Sequence, residues 1–134
     1  MKVKVLITVI LGLLVSDVNA YSDRECLAST LYHEARGEDL LGQQLVAQVV
    51  LNRAKYSSIC SEVLAPGQFP WASKSSIRVY GSRELMLADY FIKFPIASKV
   101  KYFHRADTKH RTWTRNLAYV TQVGKHKFYK DKYE

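Results

Sequence analysis

The rest of the chain is organised around residues 27–38, LASTLYHEARGE. This stretch has the apolar spacing of a helix and also carries an acidic side chain that suits catalysis. Ser22 lies shortly before this stretch and Glu25 follows it by three residues, which is the pattern of a capping box at a helix N-terminus. Gly37 is a natural stop, because glycine adopts the left-handed conformation beyond a helix end at little cost. The sequence therefore predicts a helix from Ser22 to about Gly37.

Four residues of this helix share one face at positions i, i+3, i+4 and i+7: Leu27, Thr30, Leu31 and Glu34. A carboxylate on a mostly apolar face is poorly solvated, which disfavours its charged form and suits a proton donor. The alternative is that Glu34 is a rim residue paired with Arg36 or Arg53. Glu38 lies beyond the predicted stop, where we expect a solvated side chain.

The first twenty residues have the pattern of a secretory signal peptide. Lys2 and Lys4 precede an apolar run at residues 5–15, and Ala20 offers a cleavage site. That run is too short for a comfortable membrane span, although an uncleaved anchor remains an alternative. We expect a signal peptide at residues 1–20 and one catalytic domain at residues 21–134, in a secreted or periplasmic protein.

The formal net charge of +8 favours anionic partners by long-range attraction. Bacterial wall polymer, nucleic acid and membrane headgroups all fit this charge, so charge alone does not select among them. The two cysteines, Cys26 and Cys60, can form a disulfide in an oxidising compartment if the first two helices are antiparallel, and free thiols are the alternative. Neither cysteine has the histidine context of a catalytic thiol.

Three further helices are predicted after Gly37. Asp39 caps the second, whose closely spaced leucines and valines predict the central core helix. A short helix at residues 57–64 follows. Ser82 begins the next long helix and Pro95 ends it. Its inward-facing residues are predicted to be Leu85, Met86, Tyr90 and Phe94.

The C-terminal part predicts strands. Residues 99–104 alternate weakly, and residues 119–123 and 126–129 flank a glycine turn, which is the pattern of a β-hairpin. The fold class is thus α+β and mainly helical. The loop Gln68-Phe69-Pro70-Trp71 exposes two large rings that either stack on sugar faces or close over the core, and Gln68 can bind hydroxyl or acetamido groups.

Several motifs occur in order along the chain: LYHEARGE (31–38), GQ (42–43), VVLNR (49–53), PGQFPW (66–71), YFH (102–104), Trp113 and VGKHKFY (123–129). Together they resemble the SleB-type cell-wall hydrolase family, the family of spore cortex-lytic enzymes. The resemblance implies a lysozyme-like, helix-rich domain with a small C-terminal β-hairpin. It also implies lytic cleavage of the glycan strands of peptidoglycan, with the acidic residue of the family motif falling on Glu34.

A two-carboxylate glycosidase needs a second acid at a defined distance, whereas a lytic transglycosylase works with one glutamate. The sequence offers Glu34 as the single catalytic acid and base, with Glu38 as the candidate second group if water is the nucleophile. The predicted substrate-binding residues are Tyr32, Glu38, Gln68, Phe69, Trp71, Tyr102 and His126. We expect peptidoglycan as the partner, no nucleic acid, no membrane contact beyond the signal sequence, no cofactor and a monomer.

Two other classes of protein stay open. A zinc-dependent peptidoglycan amidase would use His33, His104, His110 or His126, but the pair His33-Glu34 lacks the second histidine of the helical zinc motif. A non-catalytic peptidoglycan-binding protein would keep the fold without the chemistry. The origin of a bacteriolytic enzyme of this kind, a bacterial enzyme or a phage endolysin, also stays open.

Overall fold

The structure, a computed structural model, describes residues 21–109 and 112–134. The predicted signal peptide and His110 lie outside these residues. The elements in chain order are α1 (Asp23–Thr30), a π-helical turn (Leu31–Ala35), α2 (Leu40–Arg53), α3 (Ile59–Val63), α4 (Ser82–Lys93), β1 (Tyr102–Arg105), a 3-10 turn (Thr112–Asn116), β2 (Leu117–Val123) and β3 (His126–Asp131). No helix within the described ranges combines the length and the apolar character that a membrane crossing requires.

The first helix begins as predicted and ends differently. The Ser22 hydroxyl accepts the Glu25 N–H, and the Glu25 carboxylate accepts the Ser22 N–H, so the capping box is confirmed. The helical run stops just before Gly37, as predicted, but Gly37 does not adopt the left-handed conformation on which that prediction was based. The helix instead ends in the π-helical turn, and the Glu38 N–H closes the next turn on the Ala35 carbonyl.

Helix α2 is the central core helix, as its apolar pattern predicts. Asp39 caps it by accepting the Gly42 N–H, and Val46, Ala47 and Val49 are almost fully buried. One side of α2 joins a cluster with α1, α3 and α4, and the other side joins a cluster with the sheet. Phe103 packs against both clusters, so the helical part and the sheet share one continuous core.

Helix α4 begins as predicted, but of its predicted inward residues only Leu85 packs against the core. The buried residues are Glu84, Ala88 and Phe91, whereas Met86, Tyr90 and Phe94 are exposed and Leu85 is half-buried. Ala88 is small, so α1 and α4 approach each other closely along this line. The buried face of α4 is therefore the one that carries Ala88, and not the face that carries its larger side chains Met86 and Tyr90.

The predicted hairpin is present as β2 and β3, and β1 adds a third antiparallel strand on the other side of β3. Strand alternation places Phe103, His126 and Phe128 on the face toward the helices, and Tyr102, His104 and Tyr129 on the opposite face. The mainly helical α+β fold class is thus confirmed. At the other end of the domain, a disulfide joins Cys26 of α1 to Cys60 of α3, with 5.3 Å between their Cα atoms.

Candidate active site

A cleft of about 680 Å³ lies between the helical part of the domain and the sheet. Its described lining comes from the π-helical turn, α2, the loop after α3, β1 with the residue before it, the 3-10 turn and the start of β3. The lining residues are Glu34, Val49, Arg53, Gly67, Gln68, Phe69, Pro70, Lys101, Tyr102, Phe103, His104, Arg105, Trp113 and His126. Glu34 is the only carboxylate among these residues. The cleft therefore combines a single acid with aromatic rings and cationic side chains.

Glu34 reaches the cleft from the π-helical turn. In such a turn the hydrogen bonds span five residues instead of four, which inserts one residue and rotates the side chains that follow. Ala35 is consequently buried against the sheet-side core, while Glu34 is half-buried at the cleft. Single π-helical turns are concentrated at functional sites, where they aim a side chain that a regular helix would direct elsewhere.

Trp71 holds the Glu34 carboxylate in place. Its indole Nε1 donates a hydrogen bond of 3.0 Å to Glu34 Oε1. The indole is itself stacked on the His33 ring at 4.3 Å and on the Phe69 ring at 5.4 Å between centroids, and the Ser76 hydroxyl donates to the Trp71 carbonyl. The loop ring thus orients the acid, while Phe69, only 8% exposed, belongs to both core and cleft.

Arg53, at the end of α2, connects three segments of the cleft wall. Its guanidinium donates to Gln68 Oε1 at 3.0 Å and to the Lys101 carbonyl at 3.3 Å, and it pairs with Glu62 at 3.4 Å. The guanidinium also lies 5.2 Å from the centre of the Tyr102 ring. The rim alternative for Glu34 is not what the structure shows, because Arg53 binds Glu62 and Arg36 lies over the Tyr32 ring.

Strand β1 and the 3-10 turn contribute three rings to the cleft lining, Tyr102, His104 and Trp113, which together with the adjoining Tyr129 of β3 we call the aromatic wall. Trp113 contacts the other three, with ring centroids 5.7 to 6.3 Å away. Tyr129 stacks on His104 and its hydroxyl lies 2.9 Å from His104 Nε2. Burial and the hydrogen bond from Tyr102 to Asp131 raise the pKa of Tyr102, which keeps its phenol neutral. Such rings offer stacking surfaces with polar edges.

Glu38 is not the solvated side chain that its position predicts. Its side chain is 10% exposed, its carboxylate accepts the Lys125 N–H at 3.2 Å, and Oε1 lies 3.3 Å from His126 Nδ1. Gly124 packs so tightly on this carboxylate that a Cβ there would collide with it. Glu38 therefore fastens the β2–β3 turn to the end of the π-helical turn. It lies outside the described cleft lining, so the structure does not group it with the other predicted substrate-binding residues.

His126 lies beneath the cleft and is 4% exposed. Burial lowers the pKa of His126, while the nearby carboxylates of Glu38 and Glu34 partly oppose this effect. The ring is thus neutral at pH 7. Although Glu38 is close, His126 Nδ1 makes no well-aligned hydrogen bond. The neutral, buried imidazole of His126 thus lies near two carboxylates, that of Glu34 at the cleft and that of Glu38 beside the β2–β3 turn.

The structure brings most of the predicted site residues together. Gln68, Phe69, Tyr102 and His126 line the cleft with Glu34, and Trp71 contacts the acid directly. Tyr32 does not line it, because residues two apart on a helix point in nearly opposite directions, and its ring packs against His33 and Arg36 instead.

Some lining residues were missed by the prediction. The most informative are Arg53, His104, Arg105 and Trp113. Their signal was partly available, because Tyr102 and His104 are two apart on a strand and so share a face. Arg53 stands in one of the ordered motifs, but no local pattern placed it in the cleft, since its partner Gln68 is brought to it by the folding of α3 and the following loop.

A metal centre has no ready-made ligands in the described part of the chain. Across residues 21–109 and 112–134, no three side chains of the His, Cys, Asp and Glu types converge in a way that could hold a metal ion. His33 is stacked on Trp71, His104 on Tyr129, and His126 is packed edge-on against Phe103. Each of these three histidines packs against a different aromatic ring, and they do not converge on one point.

The fold and the cleft define a class of protein: a mainly helical domain in which one carboxylate, held by an indole, faces a groove walled by aromatic rings. The cell wall hydrolase family model matches residues 37–129. The chain belongs to this family. The matched range begins three residues after Glu34, so the family match by itself says nothing about that side chain.

Relatives and solved structures agree with this assignment. A spore cortex-lytic enzyme of Bacillus cereus is 28% identical over 120 residues, which are 84% of this chain and 46% of the relative. One from Oceanobacillus iheyensis is 28% identical over 116 residues, or 81% of this chain and 42% of the relative. The chain thus spans about half the length of the curated relatives that it matches.

Two solved catalytic domains have the same fold. The chain superimposes on the catalytic domain of the Bacillus cereus SleB protein with a TM-score of 0.70 and 27% identity, covering 84% of this chain and 94% of that one. The catalytic domain of the germination-specific lytic transglycosylase SleB from Bacillus anthracis gives a TM-score of 0.72 and 27% identity, covering 84% and 98%. The described residues therefore correspond to the catalytic part of such proteins.

Proposed function

We propose that this protein cleaves the glycan strands of peptidoglycan as a lytic transglycosylase, with Glu34 as its single general acid and base. The observation that carries the proposal is the placement of the Glu34 carboxylate, held by the Trp71 indole, in a cleft that Tyr102, His104 and Trp113 also line. Aromatic faces stack on the apolar faces of sugar rings, so a glycan strand suits this groove. The family and the solved catalytic domains support the same substrate class.

The reaction follows from one carboxyl group that changes its protonation state. Because Trp71 donates to Oε1, the proton of the neutral acid belongs on Oε2. Glu34 gives this proton to the glycosidic oxygen as the bond to the muramoyl C1 breaks. The carboxylate then takes the proton of the muramoyl 6-hydroxyl, whose oxygen attacks C1. The products are a strand with a free 4-hydroxyl and a strand that ends in a 1,6-anhydro ring.

A single-acid route is favoured over hydrolysis by two carboxylates. A hydrolase of that kind needs a second carboxylate across the scissile bond. Glu38, the other acid of the motif, accepts the Lys125 N–H and lies against the buried His126 ring, and Glu34 is the only acid among the described lining residues. Among the described residues no metal-ligand cluster favours the alternative amidase, and the placement of an acid in the cleft favours catalysis over binding alone.

Mass spectrometry of the fragments that the purified protein releases from peptidoglycan tests this proposal. We expect soluble muropeptides with a 1,6-anhydromuramoyl end. A reducing muramoyl end would instead show hydrolysis, free peptides would show an amidase, and binding without release would show a non-catalytic protein. Each of these three results contradicts the transglycosylase.

We also propose that the protein acts outside the cytoplasm, as a monomer associated with the cell wall. The predicted signal peptide at residues 1–20 supports export, and the family supports the wall as its place of action. The mass of the exported protein tests this step. A chain that begins at Tyr21 is expected, and an intact N-terminus on a membrane-bound chain would contradict cleavage.

A further inference from the structure

A second cavity of about 680 Å³ adjoins the cleft. The two share Arg53, Lys101 and Tyr102, which form the ridge between them. The second cavity is lined by the second half of α2, Glu62 of α3, the end of α4 and its connection to β1, and the C-terminal residues Asp131 and Glu134. A polymer bound in the cleft can therefore extend a side branch across this ridge without leaving the protein surface.

The lining of the second cavity carries charges of both signs. Lys101 Nζ is bound by Asp131 at 2.9 Å and by Glu134 at 3.0 Å. Lys55 and Lys99 are exposed and form no ion pair with a carboxylate of the described residues. The cavity thus presents two unpaired ammonium groups next to an acidic pair that is only partly neutralised.

This charge pattern does not suit a sugar. The glycan backbone is a neutral polyhydroxyl chain, and the stacking rings that it needs lie in the first cleft. The peptide that hangs from the lactyl group of a muramoyl unit is different, since it carries carboxylates and the amine of a diamino acid. Its mixed charges complement the unpaired lysines and the acidic pair, and apolar Leu51, Ile92 and Pro95 suit its methyl groups.

We propose that the second cavity binds the stem peptide of the muramoyl unit whose glycosidic bond lies at Glu34. This inference rests on the proposed function and adds a determinant of substrate choice to it. The peptide carboxylates bind Lys55 and Lys99, and the diamino acid reaches Asp131 and Glu134. The protein consequently cleaves peptide-bearing strands in preference to bare ones.

The test compares two forms of one purified glycan: strands with intact stem peptides, and the same strands stripped of peptides by an amidase, with the lactyl carboxylates that this exposes converted to simple amides. The rate of release of soluble fragments is measured for the wild type, for the double variant Lys55→Glu/Lys99→Glu, and for the control Lys74→Glu/Lys109→Glu. All four lysines are exposed, and the control pair changes the net charge equally outside the cavity.

For the wild type we expect a clear preference for peptide-bearing strands. In the cavity variant the rate of fragment release from these strands should fall about tenfold, because two surface ion pairs contribute about this much to binding. Its rate on stripped strands should change little. The control should keep the wild-type preference, and high salt should reduce it.

Equal wild-type rates on both substrates, or an equal loss by both double variants, would overturn the peptide site while leaving glycan cleavage intact. Failure of the wild type to cleave either substrate would overturn both the peptide site and the proposed function.

Discussion

The indole of Trp71 sets the orientation of the Glu34 carboxylate through its 3.0 Å hydrogen bond. Trp71→Phe removes the donor but keeps a ring that can stack on His33 and Phe69. Because hydrogen bonds to a carboxylate are among the stronger ones in proteins, we expect kcat/KM to fall about tenfold or more. The rate of muropeptide release measures this effect.

The thermal midpoint of the Trp71→Phe variant serves as the control for folding, and we expect it to change by only a few degrees. An unchanged kcat/KM would show that the indole does not orient the acid. A loss of activity that merely follows a loss of folded protein would lead to the same conclusion.

His126 makes the stability of the domain depend on pH. Burial lowers its pKa below the ordinary 6.5, against the opposing carboxylates of Glu38 and Glu34 and with the added repulsion of Arg105 and His104. Below pH 6.5 the unfolded chain takes up a proton that the folded chain resists, so the free energy of unfolding falls until the folded pKa is reached. Stability should therefore decrease as the pH drops below 6.5.

Urea unfolding between pH 5 and pH 7 measures this dependence in the wild type and in His126→Gln. The variant should show a flatter curve in this window, because it lacks the group that titrates. Carboxylates with lowered pKa values, such as Glu25 and Asp131, act at lower pH, below their ordinary values of 4.5 and 3.8. Parallel curves for the two proteins would contradict the neutral, buried imidazole.

Two elements are joined outside the cleft lining by a single carboxylate, that of Glu38. It connects the end of the π-helical turn, which carries Glu34, to the β2–β3 turn through the Lys125 N–H. The turn residue Gly124 has a φ of 54° and leaves room for the carboxylate, which most other residues would not. The position of the acid in the cleft thus depends on the hairpin, although the two are far apart in sequence.

The connection from α4 to β1 is fixed by two amide side chains on α2. Asn52 Nδ2 donates to the carbonyls of Ser98 and Val100 at 2.8 and 2.7 Å, and its Oδ1 accepts from Gln48. Asn52→Ala leaves buried or half-buried polar groups unpaired, so we expect the free energy of unfolding to fall by about 1–3 kcal/mol. Urea unfolding monitored by fluorescence measures the change.

Asn116→Ala is the matched control, because Asn116 is exposed at the end of the 3-10 turn. It should change the free energy of unfolding by less than about 0.5 kcal/mol. Equal effects of the two substitutions would show that the amide ties on the connection contribute nothing measurable.

Over the whole molecule, local signals in the sequence were sufficient for the helices and the hairpin. The capping box at Ser22, the cap at Asp39 and the glycine turn at residue 124 each act through neighbours in the chain, and each prediction is confirmed. The ordered motifs predicted membership of the cell wall hydrolase family through their resemblance to it, and the family match confirms this prediction.

The errors concern contacts between distant parts of the chain. Glu38 is buried because residues 124–126 fold over it, which no pattern near residue 38 reveals. The buried face of α4 is set by close packing on α1 at Ala88, while the larger Met86 and Tyr90 stay exposed. Arg53 joins the cleft only after the following loop brings Gln68 to it. Tertiary packing decided each of these positions.

The charge of the molecule fits its proposed substrate. A net charge of +8 attracts an anionic polymer at long range, whereas selection among bonds depends on the cleft and its neighbouring cavity. The two cavities lie on either side of the ridge formed by Arg53, Lys101 and Tyr102, so one bound strand reaches both.

The central claim is that Glu34 alone performs the proton transfers, and a comparison of Glu34→Gln with Glu38→Gln tests it most directly. Each substitution keeps the shape of the side chain and removes one carboxylate of the same motif. Release of soluble fragments from purified peptidoglycan, measured on folded protein, should fall at least a thousandfold, roughly, for Glu34→Gln. Glu38→Gln should lose stability while keeping most of its activity. Full activity of the Glu34 variant, or an equal loss of activity in both, would contradict the account.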